Sequence, residues 1–390
     1  MAQGSIKQDP KTKLYRFVVD VAKKGEKRKQ VKRGGFKKRS EAQAAMTKLL
    51  NEVNEGEYIS PDKTVFVDYM LNVWIAEKER NNHMTRLTAD SYRSYIKNHI
   101  KPILPTITLG ELQAKDIKHV VKSMQTREIK KQKKTITLSD STIQRIYNMI
   151  ISALNYAKQD GLIKTNPAKK VDRPKVPKRK LNIWNITQVK TFLEGFKNSR
   201  HYIVFFLALH TGMRQGEILG LPWSNVDMKK KRIMITQTLE HDGKGIKEGA
   251  KSSAGIRSIS ISDEIVEELM KQRKRIEHEK ELAGELYIDN DLVCCTNIGK
   301  PVFPDTLTHL MRAKIKTLGL PKIRFHDLRH TAASLLLALG YHPKVVSEIL
   351  GHASVTITLD TYSHLLKNMQ AEATQGLSQL LTAEIKVEQK

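Results

Sequence analysis

The chain has 390 residues, and its 68 Lys and Arg outnumber its 41 Asp and Glu, a formal net charge of +27. So large an excess repels itself in a compact state and is typical of proteins that bind a polyanion, nucleic acid first and an anionic membrane surface second. Hydrophobic residues make up 39% of the chain, which excludes wholesale disorder. No run of about 18 apolar residues predicts a membrane span, and residues 1–9 lack a secretory pattern. With only two cysteines, these features predict a cytoplasmic protein without a membrane partner.

The charge is unevenly distributed along the chain. Residues 1–60 carry +8, residues 61–163 carry +7, residues 164–180 carry +7, and residues 181–390 carry only +5. The excess therefore lies in the N-terminal half and a short connector. We expect two DNA-binding domains at 1–60 and 61–163, a basic linker at 164–180, and a further domain at 181–390.

Residues 1–60 predict a small sheet resting on one helix. Residues 15–19 and 29–33 are strand-like with a turn between them, and Ser40 is predicted to cap a helix that ends at Gly56. Strands dense in Lys and Arg suit a DNA groove, with Arg16, Lys32 and Arg33 as the candidate contacts. The alternative is a solubilising appendage.

Residues 61–163 predict a helical domain. Apolar spacing places helices at 65–79, 88–103, 115–124 and 141–159, while the lysine-rich run 130–134 is predicted to be a loop. Prolines then predict an extended connector, which either follows a phosphate backbone or is a plain linker. Its candidate DNA-binding residues are Lys169, Lys170, Arg173, Lys175, Lys178, Arg179 and Lys180.

In the C-terminal part, a buried helix at 202–209 breaks at Thr211-Gly212. The break places Arg214 at the start of the next helix, with Glu217 one turn later on the same face. Strand patterns at 232–240 and 256–262 predict a hairpin. Its loop carries Lys244, Lys247 and Lys251.

The segment 324–333 holds two histidines and an arginine at helical spacing. His326 shares a face with Arg329 and with His330, and the histidine pair resembles the zinc-hydrolase signature His-Glu-x-x-His. Two features weaken the zinc alternative: the carboxylate is Asp327, one methylene shorter, and Arg329 would place a cation beside the metal. Further along the chain is Leu350-Gly351-His352, and Tyr362 lies ten residues after His352.

The order Arg, Lys, His-x-x-Arg, His, Tyr resembles the tyrosine recombinase (phage integrase) family over essentially the whole chain. The resemblance is to integrases of temperate phages and integrative conjugative elements that have an N-terminal arm-site-binding domain. It implies a multidomain, mainly α fold with small β elements: a sheet-plus-helix arm domain, a helical core-site-binding domain and a mixed α+β catalytic domain. The implied catalytic residues are Arg214, Lys251, His326, Arg329, His352 and Tyr362, with Glu217 and His330 in support.

The resemblance also implies the chemistry. Tyr362 attacks a DNA phosphodiester and forms a 3′-phosphotyrosine, while Arg214 and Arg329 hold the phosphate oxygens. Lys251, or else Lys247, protonates the leaving oxygen. His326 is expected to help deprotonate Tyr362, and His352 to donate to the phosphate. No metal and no nucleotide cofactor is implied.

The implied partners are double-stranded DNA at core and arm sites, a homotetramer on DNA, an accessory DNA-bending protein and an excisionase. An apolar stripe after Tyr362 either covers its own domain or, as the resemblance implies, docks on a neighbouring protomer. The function predicted is integration and excision of a mobile element. The alternatives are a chromosome-dimer resolvase, a topoisomerase-like enzyme, and a non-catalytic DNA-binding regulator. The basic N-terminal unit argues against the resolvase.

Overall fold

The structure, a computed structural model, describes residues 3–21, 29–55, 58–60, 62–131, 134–177, 181–243, 245–249 and 255–382, with only the backbone at 129–131, 134–136 and 363–373. It contains two compact units, Met1–Lys178 and Arg179–Lys390. The mainly helical fold with small sheets confirms the predicted fold class. In the part of the chain that is described, every helix is too short or too polar to cross a membrane.

The first unit begins with an antiparallel three-stranded sheet in chain order. Its elements are β1 (Gly4–Gln8), β2 (Tyr15–Asp20), β3 (Gln30–Phe36) and the helix α1 (Arg39–Asn54). Alternation along β2 turns Phe17 and Val19 toward Met46 and Leu49 of α1. No sequence pattern predicts β1, which is short and has one large apolar residue. The predicted helix cap, Ser40, is also wrong, because the cap position of α1 is Lys38.

The helical part of this unit follows the predicted periodicity closely. Its elements are α2 (Phe66–Asp68), a π-helical segment (Tyr69–Trp74), α3 (Ile75–Arg80), α4 (Arg86–Tyr95), a second π-helical segment (Ile96–Ile100), α5 (Ala114–Thr126), β4 (Glu128–Lys131), β5 (Lys134–Thr137) and α6 (Asp140–Gln159). The prediction of a loop at 130–134 is therefore wrong for the residues on either side of 132–133, which lie in β4 and β5. The lysines there are flanked by Ile129 on one side and by Thr135, Ile136 and Thr137 on the other, and Ile and Thr favour strands.

The connector is not extended at its start. A 3-10 turn (Pro167–Lys170) follows Asn166, and the Asn166 side chain donates to the carbonyl of Ile151 on α6 at 3.1 Å. The Tyr147 hydroxyl donates to the carbonyls of Ala168 and Val171. Proline is compatible with the first position of a helical turn, so Pro167 begins this turn and does not prevent it.

The second unit is built around a buried helix and a small antiparallel sheet of order β10-β7-β6. The helices are α7 (Ile186–Phe196), α8 (Tyr202–Thr211), α9 (Gln215–Leu219), α10 (Asp263–Ala283), α11 (Pro304–Thr317), α12 (Phe325–Ala338), α13 (Pro343–Leu350) and α14 (Val355–Thr382). The strands are β6 (Val226–Asp227), β7 (Arg232–Ile235), β8 (Gln237–Leu239), β9 (Ile246–Glu248) and β10 (Arg257–Ser260). The pairing of β7 with β10 confirms the predicted hairpin, and a second hairpin, β8–β9, lies within its loop.

Candidate active site

The break between α8 and α9 brings the first arginine to the edge of the core. Gly212 caps α8 with φ 64°, a left-handed conformation that suits glycine. A Cβ there would lie 2.6 Å from Cδ2 of Leu350, so the turn also requires a residue without a side chain. Arg214 follows at the start of α9, and its side chain is 42% exposed. A rigid, buried helix therefore positions a guanidinium group that solvent can reach.

Glu217 is a buried carboxylate that binds two arginines. Nη1 of Arg214 donates to Oε1 at 2.6 Å, and the Arg214 backbone N–H donates to Oε2 at 2.9 Å. Arg257 on β10 binds both oxygens through Nη1 (3.2 Å) and Nη2 (2.9 Å), the forked geometry of a strong pair. Burial alone would raise the pKa of Glu217, but the hydrogen bonds and charges of the two arginines lower it. Glu217 therefore stays ionised and orients both guanidinium groups.

The first turn of α12 is fixed by its own cap. The Asp327 carboxylate accepts the Arg324 backbone N–H at 2.7 Å and binds the Arg324 guanidinium at 2.8 Å. This arrangement satisfies a backbone donor that has no partner within the helix. It fixes the turn that carries His326 and, three residues later, Arg329.

Three consecutive carbonyl groups at the C-terminal end of α13 each accept a hydrogen bond from a different arginine. The pairs are Arg257 Nε with Ile349 O at 2.8 Å, Arg329 Nη2 with Leu350 O at 2.5 Å, and Arg214 Nη2 with Gly351 O at 3.3 Å. The last carbonyls of a helix have no partner within it and carry partial negative charge, so cations are favoured there. The end of α13 thus gathers three guanidinium groups just before His352.

Arg329 is the most buried of the three arginines, with 3% of its surface exposed. Its described hydrogen-bond partners are main-chain carbonyls, the second being Gly212 O at 2.9 Å. Burial and the charge of Arg214 lower the pKa of Arg329. The cluster holds three guanidinium groups and one carboxylate, Glu217, which pairs with Arg214 and Arg257, so it carries a net charge of +2 that a bound anion would stabilise.

Two histidines beside the cluster are neutral at physiological pH. Although the His326 side chain reaches the surface, partial desolvation and the neighbouring His330 and Arg329 lower its pKa to about 4. Burial and the charges of Arg329 and Arg214 lower the pKa of His352 to about 4 as well. Nδ1 of His352 lies 2.8 Å from Oγ1 of the buried Thr358 on α14, which joins the histidine to that helix.

Tyr362 lies on α14 and is 1% exposed. Its hydroxyl is 2.7 Å from Nδ1 of His330, whose ring packs edge-on against His326 with centroids 4.9 Å apart. Burial raises the pKa of Tyr362 above its ordinary value of 10.0, while the charge of Arg329 acts in the opposite direction. A tyrosine hydroxyl, a neutral imidazole and buried cations are therefore assembled at one place.

Three family models match the chain: the arm DNA-binding domain over residues 5–53, the phage integrase SAM-like domain over residues 65–173, and the phage integrase family over residues 180–369. The chain belongs to the phage integrase family of tyrosine recombinases. It is 29% identical to a XerC-like tyrosine recombinase of Caldanaerobacter subterraneus subsp. tengcongensis, over 94% of this chain and 96% of the relative. It is 26% identical to the ICEBs1 integrase of Bacillus subtilis, over 88% of this chain and 90% of that protein.

Solved structures share the fold of this tyrosine recombinase. The Tn1549 transposon integrase in complex with a circular intermediate DNA superposes with a TM-score of 0.67 at 19% identity, over 80% of this chain and 100% of that one. A lambda integrase tetramer bound to a Holliday junction gives a TM-score of 0.58 at 17% identity, over 91% of each chain.

The structure brings together most of the residues that the motif of the tyrosine recombinases selects. The group comprises Arg214, Glu217, His326, Arg329, His330, His352 and Tyr362. Lys251 lies outside the described residues. Lys247 is exposed on β9, opposite Thr238 of β8. The described residues contain no group of three His, Cys, Asp or Glu that could hold a metal ion, so the zinc alternative gains no support from the histidine pair.

The tyrosine contacts a different histidine from the one that the family motif favours. The resemblance gives His326 the expected role of helping to deprotonate Tyr362, and His330 a supporting role. In the structure, the described partner of the Tyr362 hydroxyl is His330. Both histidines share a face of α12, and only the packing of α14 decides which of them the tyrosine meets.

The candidate DNA-binding residues of the N-terminal sheet are exposed, but they do not share one face of it. Arg16 and Lys32 lie on the face of the N-terminal sheet that is turned away from α1, which we call the open face. Lys7 pairs with Arg16 and therefore also lies on the open face. It is not among the residues predicted from the sequence, because it lies on β1, which is not predicted. Arg33 pairs with the buried Phe17 and so lies on the other face.

The candidate DNA-binding residues of the connector that the structure describes are exposed: Lys169 and Lys170 on the 3-10 turn, then Arg173 and Lys175. Lys178, Arg179 and Lys180 lie outside the described residues.

Arg257 is a residue of the site that the family motif does not select. A signal for it exists in the strand pattern, because Arg257 occupies the inward position of β10 two residues before the buried Ile259. An arginine at an inward strand position is rarely buried without a partner. The partner, Glu217, is 40 residues away in the chain, and no local pattern links the two.

Proposed function

We propose that this tyrosine recombinase integrates and excises a mobile element by site-specific recombination through a 3′-phosphotyrosine on Tyr362. The observation that carries the proposal is the convergence of Arg214, Arg329 and His352 at the end of α13, next to the helix that bears the tyrosine. The net positive charge of the arginine cluster suits a phosphate, whose charge grows on the two non-bridging oxygens in the transition state.

In the proposed reaction, the Tyr362 oxygen attacks the phosphorus and the bond from phosphorus to the 5′ oxygen breaks. The tyrosine proton passes to Nδ1 of His330, which the 2.7 Å contact supports. Lys251, or else Lys247, gives a proton to the leaving 5′ oxygen. Arg214, Arg329 and His352 bind the phosphate. His326 lies beside them and is positioned by its contact with His330. Rejoining reverses each transfer, so the phosphoester bond is conserved.

We assign DNA binding to residues 1–60 (arm sites), residues 61–163 (core sites) and the linker 164–180. Catalysis is assigned to residues 181–390. Strand exchange needs two duplexes and hence four protomers, and the fold shared with a lambda integrase tetramer on a Holliday junction supports this. An accessory DNA-bending protein and an excisionase would set the direction of reaction in the bacterial cytoplasm. The matches to an arm DNA-binding domain, an ICEBs1 integrase and a transposon integrase support a mobile element over a chromosome-dimer resolvase.

The test is covalent capture on DNA. The protein is incubated with a nicked suicide substrate that carries its attachment site, taken from the junctions of the element that encodes it. A denaturation-resistant protein–DNA adduct is expected with the wild type and not with Tyr362→Phe. A wild type that binds the site but forms no adduct would refute the proposed chemistry and favour a DNA-binding regulator.

A further inference from the structure

We propose that Arg257 is a positioning residue for DNA cleavage, acting through Glu217 and the end of α13. It lies outside the motif Arg, Lys, His-x-x-Arg, His, Tyr. The inference rests on the proposed recombinase function and adds to it a residue that does not touch the DNA.

The burial of Arg257 separates its role from that of Arg214. The side chain of Arg257 is 7% exposed, whereas that of Arg214 is 42% exposed. Both bind the same carboxylate, so only Arg214 keeps a face free for a ligand. Arg257 can therefore influence a bound phosphate only through the groups that it holds in place.

The hydrogen bonds of Arg257 connect two parts of the site that are far apart in the chain. Nη1 and Nη2 bind the two oxygens of Glu217, Nε binds Ile349 O at 2.8 Å, and Nη1 also donates to Gly255 O at 3.3 Å. One planar guanidinium thus holds α9 and α13 at a fixed separation. A lysine ammonium is a point donor on a flexible stem and cannot reproduce this forked arrangement.

Both links affect the phosphate-binding arginines. Glu217 fixes the guanidinium of Arg214, and the carbonyls that follow Ile349 are the acceptors of Arg329 and Arg214. Without Arg257, the end of α13 loses one of its three cations and Glu217 keeps a single partner. The arginines would then remain present and charged but would be misaligned with the scissile phosphate. We therefore expect a loss in cleavage rate and not in DNA affinity.

The experiment compares wild type, Arg257→Lys, Arg257→Gln and Glu217→Gln on the suicide substrate, with Arg232→Gln as the control. Arg232 is an exposed arginine on the neighbouring strand β7, paired with Ser260. Single-turnover cleavage rate, DNA dissociation constant at fixed salt and thermal unfolding are measured for each. Cleavage by both Arg257 variants should fall about 100-fold, the scale of a small misplacement, with affinity within about twofold of wild type. The charge-conserving Arg257→Lys should rescue little of the rate, and Arg232→Gln should behave as wild type.

The double variant Arg257→Gln/Glu217→Gln tests the route of action. If Arg257 acts in part through Glu217, the double variant should lose clearly less than the product of the two single losses, because both changes remove the shared Arg257–Glu217 interaction. Losses of cleavage rate that multiply in the double variant would overturn the proposal. So would cleavage by Arg257→Lys within about threefold of the wild-type rate. Equal losses of cleavage rate and DNA affinity would also overturn it. If Arg257→Gln does not fold, Arg257→Lys decides by the same rate and affinity criteria. A wild type without an adduct would refute the proposed function instead.

Discussion

Nδ1 of His330 and the hydroxyl oxygen of Tyr362 lie 2.7 Å apart and join α12 to α14. Burial lowers the pKa of His330, so its imidazole is neutral and able to accept the tyrosine proton. His330, the residue after Arg329, thus faces the proposed nucleophile, and the motif histidine His326 packs against the His330 ring.

His330→Ala is expected to slow single-turnover cleavage by about 100-fold or more, the scale of a lost general base. DNA affinity should not change, because His330 is directed at Tyr362 and not at the DNA. His278→Ala, which removes an exposed histidine from α10, is the matched control and should cleave normally. If His330→Ala cleaves at the wild-type rate while His326→Ala does not, the base is His326.

The neutral histidines should make the stability of the protein depend on pH. The pKa values of His326 and His352 are about 4 in the folded state and near 6.5 in the unfolded state, so the unfolded state binds more protons between these values. The free energy of unfolding should therefore fall as the pH is lowered from 6.5 to 4. Urea unfolding across this range measures the slope. His352→Gln should flatten it, and an unchanged slope in that variant would contradict the assigned protonation.

Gly212→Ala is expected to reduce both stability and cleavage, and Gly319→Ala provides a control at the same φ of 64°. A left-handed alanine costs about 1–2 kcal/mol at either site. Only at Gly212 would the new Cβ meet another side chain, that of Leu350, at 2.6 Å, while Gly319 has open space. Gly212→Ala should therefore unfold more readily than Gly319→Ala and cleave more slowly. Equal cleavage by the two variants would show that the Gly212 turn does not position Arg214 or Arg329 for cleavage.

The open face of the N-terminal sheet should contribute to binding of arm-site DNA. Replacing Lys7, Arg16 and Lys32 together by Gln should weaken binding and reduce the slope of log K against log salt, by up to about 0.9 for each phosphate that the variant no longer neutralises. Lys48→Gln, at an exposed position of α1, is the control and should leave the slope unchanged. A triple variant with the wild-type slope would assign this unit a solubilising role.

Leucines at the end of α14 are strongly exposed: Leu377 at 57%, and Leu380 and Leu381 at 78% each. Clustered apolar exposure marks an interaction surface, so this tail is expected to dock on a neighbouring protomer. Leu380→Asp/Leu381→Asp, or truncation after Asn368, should spare DNA binding and abolish recombination between two sites. Gln379→Asp is the charge control. Unchanged recombination in a gel-resolved assay would exclude a role for the tail in assembly.

The residues that the sequence could predict are those whose signal is local. Spacing placed His326 and Arg329 on one helix face, and the break at Gly212 placed Arg214 at a helix start. Contacts between distant segments could not be predicted in this way. The choice of His330 over His326 depends on how α14 packs, and the pairing of Arg257 with Glu217 depends on how β10 meets α9. Pro167 shows the same limit, because hydrogen bonds to α6 decide that its segment turns.

The row of arginine-bound carbonyls at the end of α13 has a consequence for genetics. A substitution that shifts this helix end disturbs three guanidinium groups at once, although the altered residue has no reactive group. Val346, fully buried in α13, is such a position. A screen for inactive variants that still bind DNA should therefore find substitutions at aliphatic residues of α13 in addition to substitutions at the motif residues. A map drawn from such a screen would outline an active site larger than the set of atoms that react.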